Sequence, residues 1–94
     1  MDFSDPLFDV EALTTSLKIS RRQLYRKLEA LLGETPHDYI MGRRLKIAAQ
    51  LLLTGDLTVS EVAYKTGFTD AANFSRSFTR QYGLSPSKYR KEAR

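Results

Sequence analysis

One pattern occurs twice in this chain, 50 residues apart, and it leaves few architectures open. Leu24-x-Arg26-x-Leu28 is answered by Phe74-x-Arg76-x-Phe78. Gly33-x-Thr35-Pro36-x-x-Tyr39 is answered by Gly83-x-Ser85-Pro86-x-x-Tyr89. Upstream, Leu13 and Ile19 match Val62 and Phe68 at an offset of 49, so one extra residue enters the second copy near Thr69-Asp70. A repeat with caps and apolar positions in register is a duplicated supersecondary unit. Each copy reads as a short helix, a tight turn and a second helix, the pattern of a helix-turn-helix. No stretch alternates apolar and polar residues as a strand does, so the fold is expected to be all-α.

Within the first copy, Asp9 is placed to cap VEALTTSL, where Val10, Leu13 and Leu17 share a face. Ser20 and Gln23 form an S-x-x-Q capping box ahead of a helix whose expected buried stripe is Leu24, Leu28 and Leu31, closed by Gly33. In the second copy Thr58 and Glu61 open VSEVAYKT, and Asp70 or Thr69 caps a helix with Phe74, Phe78 and Tyr82 inward. Gly83 closes that helix, and Ser85-Pro86 starts a short last one.

Between the copies runs TPHDYIMGRRLKIAAQLLLTG. Thr35 suits a cap, Pro36 the first helical position, and Asp38 the place from which a capping-box partner reaches back. Apolar residues recur at Met41, Leu45, Ala48 and Leu52, with Ile40, Ile47 and Leu51 in a second register beside them. So wide an apolar face predicts a helix gripped from two sides and spanning roughly 27 Å. The expected organisation is an N-terminal remnant at 1–9, a first helix-turn-helix at 10–34, a linker helix at 35–55, and a second unit with a C-terminal helix at 56–94. Gly42 inside the linker helix has two readings, close approach of another helix or simple tolerance.

Ninety-four residues make one domain, or two very small ones sharing a core. No apolar run approaches the roughly 20 residues of a membrane span and no signal-peptide pattern opens the chain, so the expected setting is cytoplasmic, without a membrane partner. The absence of cysteine excludes disulfides and thiolate metal sites. Residues 1–13 hold four acids and no base, so residues 14–94 carry all 15 Lys and Arg against 7 acids, a net of +8. Such a body predicts a polyanionic partner, nucleic acid before membrane; a merely soluble basic surface is the other reading.

In a helix-turn-helix the second helix enters the major groove. Its outward positions in the first copy are Arg21, Arg22, Tyr25, Arg26 and Glu29. Arginine makes two parallel hydrogen bonds to guanine O6 and N7, and tyrosine meets a thymine methyl or a phosphate. The bland alternative is a solvated basic face. The second copy offers Ala71, Ala72, Asn73, Arg76 and Arg80, where asparagine suits adenine and small alanines permit close approach. Asn73 could equally serve the helix start near Asp70. The helix N-termini at Thr35-Pro36 and Ser85-Pro86 are expected backbone clamps, since free N–H groups and the helix dipole favour phosphate. Thr35, His37, Ser85, Ser87 and Lys88 are their side-chain candidates, with Arg43, Lys46 and Arg80 as further phosphate contacts. Arg44 falls near the apolar seam and is expected in a structural ion pair, with Glu61 as its partner.

These residues resemble the DNA-binding domain of AraC/XylS-type transcription regulators. The resemblance rests on R-L-x-x-A at Arg44 to Ala48 followed by Leu51-Leu52, V-x-E-V-A at Val59 to Ala63, G-F-x-D at Gly67 to Asp70, N-F-S-R-x-F at Asn73 to Phe78, and G-L-S-P-x-x-Y at Gly83 to Tyr89. It implies homeodomain-like three-helix packing and two recognition helices in successive major grooves of double-stranded DNA. Carried over, the base-reading positions are Arg22, Tyr25, Arg26, Ala71, Ala72, Asn73 and Arg76. It also implies the output end of a bacterial regulator or activator, with RNA polymerase as a partner, an upstream sensor, receiver or effector domain, and no cofactor. Two positions depart from the pattern. Only MDFSDPLFD stands where the family has a further amphipathic helix, which would leave the first core thinly covered. Lys18 occupies a turn position where the second copy has Gly67. The competing class is a basic helical module for an acidic protein partner. An enzyme finds no support in one histidine, no cysteine and no glycine-rich phosphate loop. An RNA reader lacks an aromatic platform.

Overall fold

The computed structural model describes Phe3 and residues 5–93, and within them the only regular elements are six helices. They are α1 (Val10–Leu17), α2 (Arg21–Leu32), α3 (Pro36–Thr54), α4 (Val59–Lys65), α5 (Ala71–Tyr82) and α6 (Pro86–Ala93). The starts follow the capping chemistry read from the sequence. Asp9 accepts from the Ala12 amide, the Ser20–Gln23 and Thr58–Glu61 boxes are both closed, and Asp70 rather than Thr69 caps α5 by accepting from the Ala72 amide at 2.8 Å. At Thr35 the hydroxyl accepts from the Asp38 amide at 3.1 Å, one half of the expected box.

The long helix α3 joins two separate cores. Leu13, Leu24, Leu28 and Ile40 form the first, flanked by Phe3, Phe8, Val10, Ile19 and Tyr39. The second gathers Leu45, Ala48, Ala49, Leu52, Val62, Ala63, Phe68, Phe74 and Phe78. The helix is gripped from two sides, but the division runs along its length. The whole register Met41, Leu45, Ala48, Leu52 belongs to the second core, and only Ile40 and Tyr39, near its start, serve the first. The body is accordingly elongated, 41 × 23 × 21 Å.

Leu31 is not part of the buried stripe. It is 78% exposed. The last turn of α2 overhangs a small first core, which ends at Leu28. The second copy puts the polar Gln81 at the equivalent position.

The two tight turns have one shape. The Ile19 amide donates to the Thr14 carbonyl at 3.2 Å, and the Phe68 amide to that of Ala63 at 3.0 Å, a shift of 49 in both partners. Gly67 has φ 95° and Lys18 φ 56°, so lysine accepts a left-handed backbone that glycine adopts freely. Gly42 shows no close approach. A Cβ there would meet only the Gln81 Oε1, at 3.8 Å, an ordinary contact. Gly42→Ala is therefore expected to stabilise the domain by about 0.5–1 kcal/mol. At roughly 4–8 °C per kcal/mol this is visible in a thermal melt, and an unchanged or lowered Tm would reject simple tolerance.

The first core is covered by the segment ahead of α1. Phe3 packs on Phe8 at 5.1 Å between ring centres and edge-on to Tyr39 at 5.9 Å. The Asp5-Pro6 turn closes with the Phe8 amide donating to the Asp5 carbonyl at 2.9 Å. Arg44 holds this segment. Its Nε donates to the Phe3 carbonyl at 2.7 Å, and its Nη2 to those of Asp5 and Phe8 at 3.0 and 2.8 Å. The expected Arg44–Glu61 ion pair is thus replaced by a guanidinium bound to main chain. Glu61 is engaged elsewhere, its carboxylate accepting from the Thr58 amide at 2.9 Å. That bond holds the Glu61 carboxyl below its ordinary range. Burial pushes the Arg44 guanidinium down, partly offset by the charge of Asp5.

Candidate nucleic-acid interface

Two helices present matched outward faces. At about 100° per residue, the side of α2 opposite buried Leu24 and Leu28 holds Arg22 and Arg26, and the side of α5 opposite buried Phe74 and Phe78 holds Ala72 and Arg76. These pairs stand 50 residues apart, and all four residues are exposed. Arg21 sits on the flank instead. Its guanidinium lies 3.9 Å from the Glu11 carboxylate and 6.0 Å over the Tyr25 ring. Both partners are exposed, so this contact is weak and exchangeable.

Tyr25 lines a shallow cleft with Glu29, Gly33, Glu34, Thr35 and Asp38. A second groove separates the start of α3 from α5. His37, Asp38, Asn73, Ser77 and Arg80 line it, together with Glu34. Because Glu34 and Asp38 border both clefts, the polar sides of α2 and α5 meet around the first turns of α3. Asn73 is exposed and is not a cap, since Asp70 has that role. Ala71 is half-buried, the least accessible of the candidate readers in α5. Arg76 and Arg80 share a further shallow face with Ser75 and Thr79.

The two helix N-termini are matched in geometry and different in charge. Ser85 accepts from the Lys88 amide at 3.2 Å, as Thr35 does from Asp38, so each hydroxyl caps its own helix and keeps an O–H to donate. Around Ser85 stand Ser87, Lys88, Lys91 and Glu92. Around Thr35 the charged groups are Glu29, Glu34 and Asp38. Phosphate is favoured at α6 more than at α3, in keeping with Lys88 standing where the first copy has Asp38. Arg43 and Lys46 lie together on another side of α3, beside Tyr39, Leu32 and Gln81, and Arg43 stacks 5.8 Å over Phe3.

Reading the sequence missed Glu34 and Asp38 as the meeting point of the two clefts, and missed Arg90. Arg90 is half-buried and donates to the carbonyls of Leu52 and Leu57. The available signal was the repeat, which aligns Arg90 with buried Ile40. Among the described residues no helix is long and apolar enough to cross a membrane, and no His, Asp or Glu group is arranged to hold a metal ion.

A family model described as a helix-turn-helix domain matches residues 13–92. Over 82 residues the chain is 39% identical to histidine kinase P4 of Formosa agariphila, covering 87% of this chain and 6% of that protein. It is 39% identical over 80 residues to the transcriptional activator RhaS of Salmonella arizonae, covering 85% of this chain and 29% of the relative. The chain therefore spans less than a third of the length of these curated relatives. Among solved structures, the DNA-binding domain of the global transcriptional factor AdpA in complex with a target DNA superposes with a TM-score of 0.83 at 38% identity. That match covers 93% of this chain and 78% of the other.

Proposed function

Because the chain belongs to the AraC-type helix-turn-helix DNA-binding domains, we propose that it binds double-stranded DNA sequence-specifically as the output end of a longer transcription regulator, with α2 and α5 in successive major grooves. The observation that carries this reading is the pair of matched outward faces, Arg22–Arg26 and Ala72–Arg76, set on one shared helix. Arg22, Arg26 and Arg76 read base edges, with Tyr25 and Asn73 beside them and Ala71 and Ala72 allowing close approach. Lys88, Ser85 and Ser87 hold phosphate at α6, and His37, Thr35 and Arg80 lie along the path between the readers. Arg21, Arg43 and Lys46 are peripheral phosphate contacts. The chain acts by binding rather than catalysis, in the cytoplasm, as part of an activator that engages RNA polymerase and takes its signal from an upstream sensor or receiver domain. The kinship with RhaS supports an activator, and the partial coverage of longer relatives supports the upstream domain.

The test is a salt titration on duplexes selected from a random pool. If some 6–10 phosphates are neutralised, log K against log[salt] slopes near −5 to −9. Arg26→Ala is expected to lose about 1–3 kcal/mol on the selected site and relax preference at one or two base pairs. Lys88→Ala should weaken every sequence alike and reduce the slope by about 1. A wild-type slope shallower than about −2 favours a basic module for an acidic protein partner. Equal losses on selected and random DNA for Arg26→Ala reassign that arginine to phosphate.

A further inference from the structure

Among the described residues, two guanidinium groups are bound to main-chain carbonyls, and the arrangement repeats. Arg44 on α3 donates through Nε to the Phe3 carbonyl at 2.7 Å and through Nη2 to that of Phe8 at 2.8 Å. Arg90 on α6 donates through Nε to Leu52 at 2.9 Å and through Nη2 to Leu57 at 2.6 Å. Phe3 answers Leu52 and Phe8 answers Leu57, both at the offset of 49 that relates the first helices of the two units. Phe8 and Leu57 each immediately precede the capping residue, Asp9 of α1 and Thr58 of α4. The side chains keep the correspondence too, Phe3 and Phe8 packing on the first core, Leu52 and Leu57 on the second.

The arginines themselves are not equivalent positions. Arg90 aligns with Ile40, and Arg44 lies one helical turn further along. One clamp is thus built twice from different places on the third helix of each unit. In the second unit the clamp also meets an electrostatic need. Leu52 lies in the last turn of α3, where carbonyls lack helical partners and the dipole end is negative, so a guanidinium is well placed there.

We propose that Arg44 and Arg90 are positioning residues, each pinning the chain that leads into its helix-turn-helix and so fixing the angle of that reading head on the shared frame. Residues 55–58 between α3 and α4 form no regular element, and Arg90 ties this loop back to α6. Both guanidiniums are spent on carbonyls and contribute nothing to phosphate neutralisation.

The chain contains no cysteine, so Lys27→Cys on α2 and Thr79→Cys on α5, both exposed, can carry a unique pair of spin labels. Electron–electron dipolar spectroscopy on the otherwise unaltered protein is expected to give one narrow distance distribution. Arg90→Ala should broaden it. Arg90→Lys, which keeps the charge but cannot fork between two carbonyls, should broaden it as well and carries the test if the alanine variant does not fold. The DNA arm rests on the function proposed above. Loosening one head lowers the effective concentration of the second contact, so affinity for the two-part site is expected to fall at least about tenfold. Binding to an isolated half-site and the salt slope should stay as in the wild type. Unbroadened distances in both variants overturn the proposal, as does a salt slope reduced by about 1, which makes Arg90 a phosphate ligand. If the wild type shows no preference for a two-part site over a half-site, the proposed function fails, and the distance widths alone decide the clamp.

Discussion

Inserting about 5 bp between the half-sites of a selected duplex is expected to reduce affinity to that of one half-site, although every base contact remains in the sequence. The two reading helices are packed on a common helix of 19 residues, roughly 28 Å long, within a body whose longest dimension is 41 Å. Adjacent turns of the major groove on one face lie about 34 Å apart, so tilt of the units or a modest bend of the DNA absorbs the difference. Half a helical turn is not absorbed so. It carries the second half-site to the opposite face, where a 28 Å frame cannot follow. The two readers also differ, Arg22–Arg26 against Ala72–Arg76, so a single monomer should select an asymmetric two-part site. Loss of the second contact removes an avidity of about 10²–10⁴-fold. Gel-shift or anisotropy titrations of the 0, 5 and 10 bp series measure it. Undiminished binding at 5 bp would mean that only one unit reads DNA or that α3 is not rigid.

Much of this architecture was legible because the repeat placed caps, turns and buried positions twice, each copy checking the other. Asp9, Ser20, Thr35, Thr58, Asp70 and Ser85 all accept the amide bonds their positions suggest. Local capping chemistry needs only neighbours in sequence, and that is why it is readable. Leu31 failed for the opposite reason. Its period was right, but whether a helix turn is covered depends on where the core ends, and Gln81 in the other copy marked that limit. Arg44 failed because an ion pair was sought among side chains, while its partners are carbonyls 36 to 41 residues away, which every residue carries and no pattern distinguishes. The charge contrast between the Thr35 and Ser85 termini, by comparison, is written in the repeat itself, where Glu34 and Asp38 stand opposite Leu84 and Lys88 at the offset of 50.

The stability of the second unit should hinge on Phe78. It is fully buried, and its ring lies 5.7 Å from Phe74, 4.6 Å from Tyr82 and 5.2 Å from Tyr89, so it joins α5 to α6 within the core that also holds Leu45, Ala48 and Leu52 of α3. Phe78→Ala removes that ring and leaves a cavity that a close-packed aromatic cluster fills only in part. The expected cost is about 3–5 kcal/mol. A domain of this size has in all roughly 5–14 kcal/mol. The melting temperature should therefore drop by at least about 12 °C. Leu13→Ala, at the centre of the smaller first core, should cost about 2–5 kcal/mol by the same reasoning. The comparison reports on α3. Ile40 near one end and Leu52 near the other tie the helix into both cores, so melting either should unravel the frame of its neighbour, and each variant should melt in one transition. Two resolved transitions in Phe78→Ala, with the first unit surviving, would show that the halves fold independently. The spacing rule for DNA would then need some origin other than a common rigid helix.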